Sequence, residues 1–429
     1  MTRQPPRGRP LPGNRWDLLD GRWPDEPPLV SVVVAHYRQP EQLARTLAAL
    51  ERQDHPADRL QVIVADDGSP EAPVVPPGVE VVRQEDRGFR LAAVRNLGAR
   101  RARGDVLVFL DADTAPEPGF VRALTRLPAL APDCVTVGRR RHADLAGIGG
   151  DRIHETAPAR ALPEPAWLTE AYDRSRDLLD ADDRSYRHVI GAVIACSRVM
   201  FDETGGFDES FTTYGGEDWE WTYRAWLRGA VLAHVPRAVA WHDGPDAAGR
   251  DEGAAARRNA EAIRLSDLIP VAGSAGCGIA PARVDIAVAG PPGAGAAQRF
   301  LSLDSALAGL PRGLAAPLPA GLDARAARIG PDGSAFDRVR VVVELLRPLR
   351  VDGDDLREAL ARLDGERLGS ITLTGTAGEP LVRLDATRAR ARAARWGRGD
   401  LFATASTTAP GIRPVTGEPD LAAYLGGWG

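Results

Sequence analysis

The chain has 429 residues, with 54 Lys+Arg against 59 Asp+Glu and a formal net charge of −5. No lysine occurs in it, which excludes the chemistries that need a primary ammonium at a fixed point: P-loop NTPases, Schiff-base enzymes and protein kinases. The length allows two or three domains at ~150 residues each, and mild acidity with dispersed arginine argues against nucleic acid as a partner.

Residues 1–28 are rich in Pro, Arg and Gly, lack the apolar run of a signal peptide and read as a flexible leader. From residue 29 short β-rich runs alternate with helical stretches. Residues 30–35 read as a strand, Leu43, Leu47 and Leu50 mark a helix at i, i+4, i+7, and residues 60–65 and 79–83 read as further strands. A helix around 91–103 and the apolar run 106–110 complete βαβ units of a parallel sheet. A helix (120–127) and a strand (134–138) follow, then a polar stretch, 142–187, of little periodicity. Order returns with 189–196, a Gly205-Gly206 turn, an aromatic helix at 217–227 and a strand pair through 231–242.

A charged helix ends near Leu268, and Ala and Gly then dominate to Val284, placing a boundary at 270–280. The expected organisation is a mixed-sheet α/β domain over 29–270 and a smaller α/β domain over 280–429. The likeness of Val106-Leu-Val-Phe-Leu to Val341-Val-Val-Glu-Leu raises the further expectation of a degenerate duplicate. Cys134, Cys196 and Cys277, odd in number and widely spaced, suit reduced thiols of a cytoplasmic protein. Nothing approaches a membrane span. Arg388, Arg392 and Arg395 recur at i, i+4, i+7, either as a solvated helix face or as a peripheral contact with anionic lipid.

Five clusters carry candidate chemistry. Asp111-Ala112-Asp113 follows the strand at 106–110, and ligands of open α/β sheets bind beyond the carboxyl ends of strands. Two carboxylates one residue apart can share a hard divalent cation that bridges phosphate oxygens, although Asp is also a common turn residue. Asp66-Asp67-Gly68-Ser69 ends another strand, where a carboxylate can accept from a base N–H or a ribose hydroxyl. Tyr37, just past the first strand, offers a face for a flat base. In Tyr214-Gly-Gly-Glu-Asp-Trp-Glu-Trp two glycines let the backbone pass close to a ligand, and Glu217 and Asp218 fall in the first turn of a helix beside Trp219. A first-turn carboxylate facing a cleft can take a proton from a sugar hydroxyl. Trp241-His242 closes the domain, and a neutral imidazole there can complete a metal shell begun by Asp113.

With these motifs assembled, residues 29 to about 245 resemble the inverting family 2 glycosyltransferases of GT-A fold. The resemblance rests on Val32-Val-Val-Ala-His-Tyr, Val64-Ala-Asp-Asp-Gly-Ser, Gly88-Phe-Arg-Leu-Ala-Ala-Val-Arg-Asn-Leu-Gly, Leu110-Asp-Ala-Asp and Gly216-Glu-Asp-Trp-Glu, in that order. The Gly-Gly-Glu-Asp element and His242 look most like the chondroitin-polymerase and galactosyltransferase-like branch. The resemblance implies a Rossmann-like mixed sheet, a nucleotide-sugar donor, most simply a UDP-sugar, a glycan or other hydroxyl acceptor, and Mn²⁺ or Mg²⁺. It implies Tyr37 stacking on the nucleotide base, Asp67 hydrogen-bonding the base or ribose with Asp66 supporting it on the donor side, Arg90 and Arg95 near the diphosphate or base, and Asp111 on ribose or metal-bound water. Asp113 would be the principal metal ligand with His242 the third protein ligand, Asp218 the general base, and Glu217 and Trp219 the acceptor subsite. One departure stands out: where the family often has Asn after the first-strand tyrosine, this chain has Arg38. The competing readings are a nucleotidyltransferase of similar fold and a non-catalytic glycan-binding scaffold.

Overall fold

The structure is a computed structural model that describes residues 6–245, 254–276, 281, 283–310 and 339–427. Cys277 lies outside the described residues. The chain divides into two units, one holding residues 6–226 and 230–264 and the other chiefly residues 265–429.

The first unit is built on one sheet. Its elements are β1 (Val30–His36), α1 (Pro40–Leu50), β2 (Leu60–Asp66), β3 (Glu80–Arg83), α2 (Leu91–Arg101), β4 (Val106–Asp111), β5 (Thr114–Pro116), α3 (Phe120–Leu130) and β6 (Cys134–Ala143). They are followed by α4 (Ile153–Thr156), β7 (Ala161–Leu162), α5 (Ala166–Arg174), β8 (Val193–Ser197), α6 (Arg198–Thr204), α7 (Glu217–Leu227), β9 (Val231–Asp243) and α8 (Ala254–Leu268). Every residue of β1 is buried, as expected of a central parallel strand covered on both faces. The strand order is β3-β2-β1-β4-β8-β6-β9-β5, with β7 pairing β6. The first four strands are parallel, and the register sets Ala35 beside both Ala65 and Asp111. The carboxyl ends of β1, β2 and β4 therefore finish level, and the loops they feed share one rim.

Two expectations change here. The region expected as a strand pair is the single strand β9 of 13 residues. Its register against β6 jumps from Gly138↔Val235 to Arg139↔Val239, so residues 236–238 loop out as a bulge. Pro236, which cannot donate to a ladder, makes that bulge read as a turn in sequence. The flexible leader is also corrected, because Leu11 and Leu19 are buried against Leu127, Cys134 and Val231. Asn14 locks the segment down, donating to the carbonyls of Leu178 (2.7 Å) and Leu232 (2.9 Å) and accepting from the Leu232 N–H (2.9 Å). Isolated leucines in Pro-rich sequence leave no periodicity to read.

The second unit contains β10 (Ile286–Ala289), β11 (Val341–Leu345), β12 (Leu349–Val351), β13 (Ser370–Thr374), β14 (Pro380–Ala386), β15 (Thr404–Thr408) and β16 (Ile412–Pro414). The main sheet runs β10-β11-β14-β13-β15, with β14 antiparallel to both its neighbours, while β12 pairs β16. Its core includes Leu356, Leu363, Ile371 and Leu384. The run of four parallel neighbours in the first sheet has no counterpart among the described strands here, so the expectation of a degenerate duplicate fails on topology. The basic face is corrected too: Arg392 is fully buried, and the guanidinium groups of Arg388 and Arg392 lie over the Phe402 ring at 5.1 and 4.8 Å. That face is packed inside its own unit instead of turned to lipid. Among the described residues no helix is long and apolar enough to cross a membrane.

If the amino-terminal segment is part of the core, Leu19→Ala lowers the unfolding free energy by about 2–5 kcal/mol. Urea unfolding measures this, and a change below about 0.5 kcal/mol, the range of a surface substitution, would contradict the packing.

Candidate active site

At the rim, the β2 end is organised by a buried carboxylate. Asp66 is fully buried and accepts from the Ser69 N–H (3.0 Å), the Ser69 hydroxyl (2.6 Å) and Arg83 Nε (2.9 Å), with His36 Nδ1 at 2.7 Å. Burial alone would raise its pKa, but Ser69, Arg83 and His36 outweigh it and hold the carboxyl below its ordinary range. Asp66 thus fastens the loop from inside. Asp67, one residue on, turns the other way. It accepts from Gln84 Nε2 (2.5 Å) and the Arg90 N–H (2.9 Å), and burial raises its pKa. Arg90 therefore contributes its backbone amide to this corner. Gly68 has φ +85°, and a Cβ there would collide with the Asp86 backbone.

Tyr37 is 38% exposed, and its hydroxyl donates to Asp86 Oδ2 at 3.1 Å. The Arg38 guanidinium covers its ring at 4.8 Å. Arg38 itself has φ +54°, a left-handed conformation in which Asn is the comfortable non-glycine residue. The family's usual Asn thus has a backbone reason, and Arg38 bears that strain while donating its N–H to Ser69 Oγ at 2.9 Å.

Arg95 sits at the centre of the site. It is buried on α2, donating to Asp111 Oδ1 (2.8 Å) and to Glu217 Oε1 (2.7 Å), with its guanidinium 5.5 Å from the centre of the Phe207 ring. Desolvation disfavours its charge, yet Asp111, Glu217 and Asp218 more than compensate and its pKa rises. Arg95, expected near the diphosphate or base, has a guanidinium that joins the Asp-Ala-Asp motif to the Gly-Gly-Glu-Asp motif.

Gly215 and Gly216, at φ +95° and +89°, turn the chain into α7 in a way other residues would resist. The turn presents Glu217 and Asp218 in the first turn of the helix, where the macrodipole favours negative charge. Glu217 is buried with one oxygen on Arg95 and Oε2 unpartnered; burial and then Asp218 push its pKa to about 7 against the pull of Arg95. Asp218 is held by two backbone donors, the Gly191 N–H on Oδ2 (2.7 Å) and the Trp219 N–H on Oδ1 (2.8 Å). Burial raises its pKa as well, against Arg95 and those two donors. The Trp219 ring meets Tyr186 edge-on at 6.2 Å and 72°. Sequence reading missed Glu261 of α8. A Cβ on Gly215 would lie 2.7 Å from its Oε2, and burial with Asp218 raises its pKa to about 7. It also missed the Gly191 amide, since neither residue belongs to a motif.

The second pair of ligand candidates meets across strands. β5 and β9 set Thr114 opposite His242, leaving His242 Nε2 3.5 Å from Asp113 Oδ2. Asp113 also accepts from Gln39 Nε2 (3.2 Å) and Thr114 Oγ1 (3.2 Å). Its burial is outweighed by His242, Gln39 and Arg140, which hold its pKa at about 2. His242 Nδ1 lies 3.2 Å from the Gly244 carbonyl, and Nε2 faces the Asp113 carboxylate. An imidazole nitrogen and a carboxylate oxygen that face each other at this distance can share a proton or take a cation between them. The oxygen and imidazole donors suit Mn²⁺ or Mg²⁺. Asp111, with Oδ1 on Arg95, does not join this pair, and no group of three or more His, Cys, Asp or Glu that could hold a metal occurs among the described residues.

A mixed α/β sheet with acidic pairs at two level strand ends and a helix led by two carboxylates has the architecture of the GT-A fold. The comparisons agree: residues 31–204 match the model of glycosyl transferase family 2, and residues 181–240 match the N-terminal domain of galactosyltransferase. The chain carries a glycosyl transferase family 2 domain. It is 31% identical to chondroitin synthase of Escherichia coli over 265 residues, 56% of this chain and 38% of that one. It is 33% identical to validoxylamine A glucosyltransferase of Streptomyces hygroscopicus subsp. jinggangensis over 226 residues, 48% of this chain and 53% of that one. The matched region thus spans between a third and just over half the length of these relatives. Among solved structures, a mannosyltransferase from Pyrobaculum calidifontis in complex with GDP-Man and Mn²⁺ aligns at TM-score 0.40 and 21% identity, covering 59% of this chain and 67% of that one.

A carboxyl with a folded-state pKa above its unfolded value takes up a proton on folding. Glu217 therefore stabilises the protein below about pH 4.5, and that contribution is lost as the pH rises through about 7. The thermal midpoint is expected to decline as the pH rises from about 4.5 through about 7, and Glu217→Gln to flatten that slope. Calorimetry of both proteins across that range checks it, and parallel slopes would contradict the burial of this charge.

Proposed function

We propose that this chain is a metal-dependent, inverting glycosyltransferase that moves a sugar from a nucleotide-diphosphate sugar, a UDP-sugar, to a hydroxyl of a glycan, lipid-linked or small-molecule acceptor. The observation that carries the reading is the Arg95 bridge, which fixes Asp111 and Glu217 to one buried cation and so sets the donor-side motif and the acceptor-side helix at a constant separation.

The nucleotide base lies against the free face of Tyr37, with Asp67 at the base or ribose. Asp113 and His242 hold Mn²⁺ or Mg²⁺, which when bound offsets the charge of the departing diphosphate. Asp218, oriented by two backbone N–H groups and raised in pKa, accepts the proton of the acceptor hydroxyl as its oxygen attacks the anomeric carbon. The bond from that carbon to the diphosphate oxygen breaks on the opposite face, so configuration inverts. Glu217 and Trp219 border the acceptor. Residues 29–270 form the catalytic domain and residues 280–429 a second domain. Buried, unbridged Cys134 and Cys196 suit a cytoplasmic setting. The acidic helix start favours glycosyl over nucleotidyl transfer, because a general base next to an acceptor cleft has no task in the latter.

Purified protein is expected to be stabilised by UDP or a UDP-sugar in thermal shift only with Mn²⁺ or Mg²⁺ present. Asp113→Ala should abolish that dependence. Asp218→Asn should leave donor binding intact and slow transfer by ~10²–10⁴, the range of a general base. Near-normal transfer by Asp218→Asn would refute the base assignment, and no response to any nucleotide would refute the reading as a whole.

A further inference from the structure

Between β7 and β8 stands an aromatic pair that no role above uses. Trp167, in the first turn of α5, is 46% exposed, and its ring lies 6.4 Å from that of His188 with 42° between planes. Ala171, one turn further along the helix, is buried, so Trp167 marks the place where that face of α5 leaves the core and meets water. An indole this open forgoes the stabilisation that burial brings, about 25 cal/mol per Å² of apolar surface.

His188 flanks the indole from a fixed position. Its carbonyl accepts from the Tyr172 hydroxyl at 2.6 Å, and its half-buried ring has an Nδ1 that is buried without a hydrogen-bond partner. Burial lowers its pKa below the ordinary histidine value, so the imidazole is neutral at pH 7.

The segment that carries His188 is tied to the catalytic helix on both sides of that residue. Tyr186 meets the Trp219 ring edge-on, and the Gly191 N–H holds Asp218 Oδ2 at 2.7 Å. Three residues separate His188 from Gly191, and even a fully extended chain covers no more than about 11 Å in three residues. The aromatic pair thus belongs to the stretch of chain that orients Asp218, and not to the strand ends that carry Asp67 and Asp113.

The chemistry of the pair narrows what it takes. Charges acting on His188 are mixed, Asp182 against Arg187 and Arg174. Arg174 lies 3.9 Å from Glu170, and Arg187 Nε donates to the Tyr186 hydroxyl at 3.2 Å. Recognition therefore falls to the indole face. An aromatic face is electron-rich and attracts polarised C–H bonds, which a pyranose presents on one side of its ring. Hydroxyls at the rim of that ring stay in water or reach the imidazole, donor at one nitrogen and acceptor at the other when neutral.

We propose that Trp167, flanked by His188, is a stacking platform for a sugar ring of the acceptor, one that lies beside the unit whose hydroxyl meets Asp218. The role in transfer rests on the glycosyltransferase reading above; the binding of a sugar does not.

The test is saturation-transfer NMR on the full chain without nucleotide or metal, with the methyl β-glycosides of glucose, galactose, N-acetylglucosamine and N-acetylgalactosamine as probes. At least one is expected to receive saturation, concentrated on the C–H protons of one ring face. Trp167→Ala should weaken binding about tenfold or more, as truncation of a tryptophan anchor does, while Trp167→Phe keeps most of it. Because the indole is exposed, both variants should melt with the wild type, which separates lost binding from lost folding. In transfer assays Trp167→Ala should raise the acceptor KM about tenfold and leave kcat nearly unchanged, the pattern of a contact made equally in ground and transition states. No saturation of any glycoside, equal saturation in Trp167→Ala, or displacement of the glycoside by UDP with Mn²⁺ would overturn the proposal. Binding that depends on Trp167 in a protein that ignores every nucleotide would uphold the platform and refute the transferase reading, so the two fail separately.

Discussion

One buried guanidinium holds the active-site rim together. Arg95 has carboxylates of β4 and α7 as its hydrogen-bond partners and a third, Asp218, in its field. Removing it would leave Glu217 and Asp218 buried and uncompensated, in a region where burial already raises both pKa values. A guanidinium suits this place because it is planar, stays charged, and reaches two carboxylates through different nitrogens. An ammonium would lose its proton more readily when buried and could not span the two motifs with the same geometry. In a chain without lysine the distinction is built in throughout.

The rim also divides its carboxylates by task. Asp66 is drawn below its ordinary range by three partners and acts as a fastener, while Asp113 is held at about 2 by its neighbours and stays an anion ready for a cation. Glu217, Asp218 and Glu261 are pushed upward, toward the range where a proton can be taken or given. Environments that separate the pKa values of neighbouring acids are how one site holds both metal ligands and a base.

Much of this was legible in sequence where the signal is local. Consecutive acids after an apolar run announce a strand end, and β1, β2 and β4 stand where the runs put them. Which acid of a pair faces inward was not legible: Asp66 and Asp67 differ only in the side of the strand end each leaves. Nor could spacing show that Arg95 belongs to Asp111 and Glu217, because that contact exists only after the sheet closes. Residues 142–187 resisted reading since α4, β7 and short turns there are too brief to develop a period. The leader and the basic helix face misled for a common reason: composition suggested solvent where Leu11, Leu19 and Arg392 are buried.

The unbroken strand β6 sets where two histidines of β9 stand. His234 pairs with Val137 and His242 with His142, so β9 spends eight residues where β6 spends five. The two histidines are therefore spaced by β6, at ~17 Å for five residues of strand, while the surplus of β9 is absorbed in the bulge. Lengthening or shortening that bulge would leave the spacing unaltered. Because five is an odd step along a strand, the two histidines also leave opposite faces of the sheet, so a change at the bulge can reach one of them without disturbing the other.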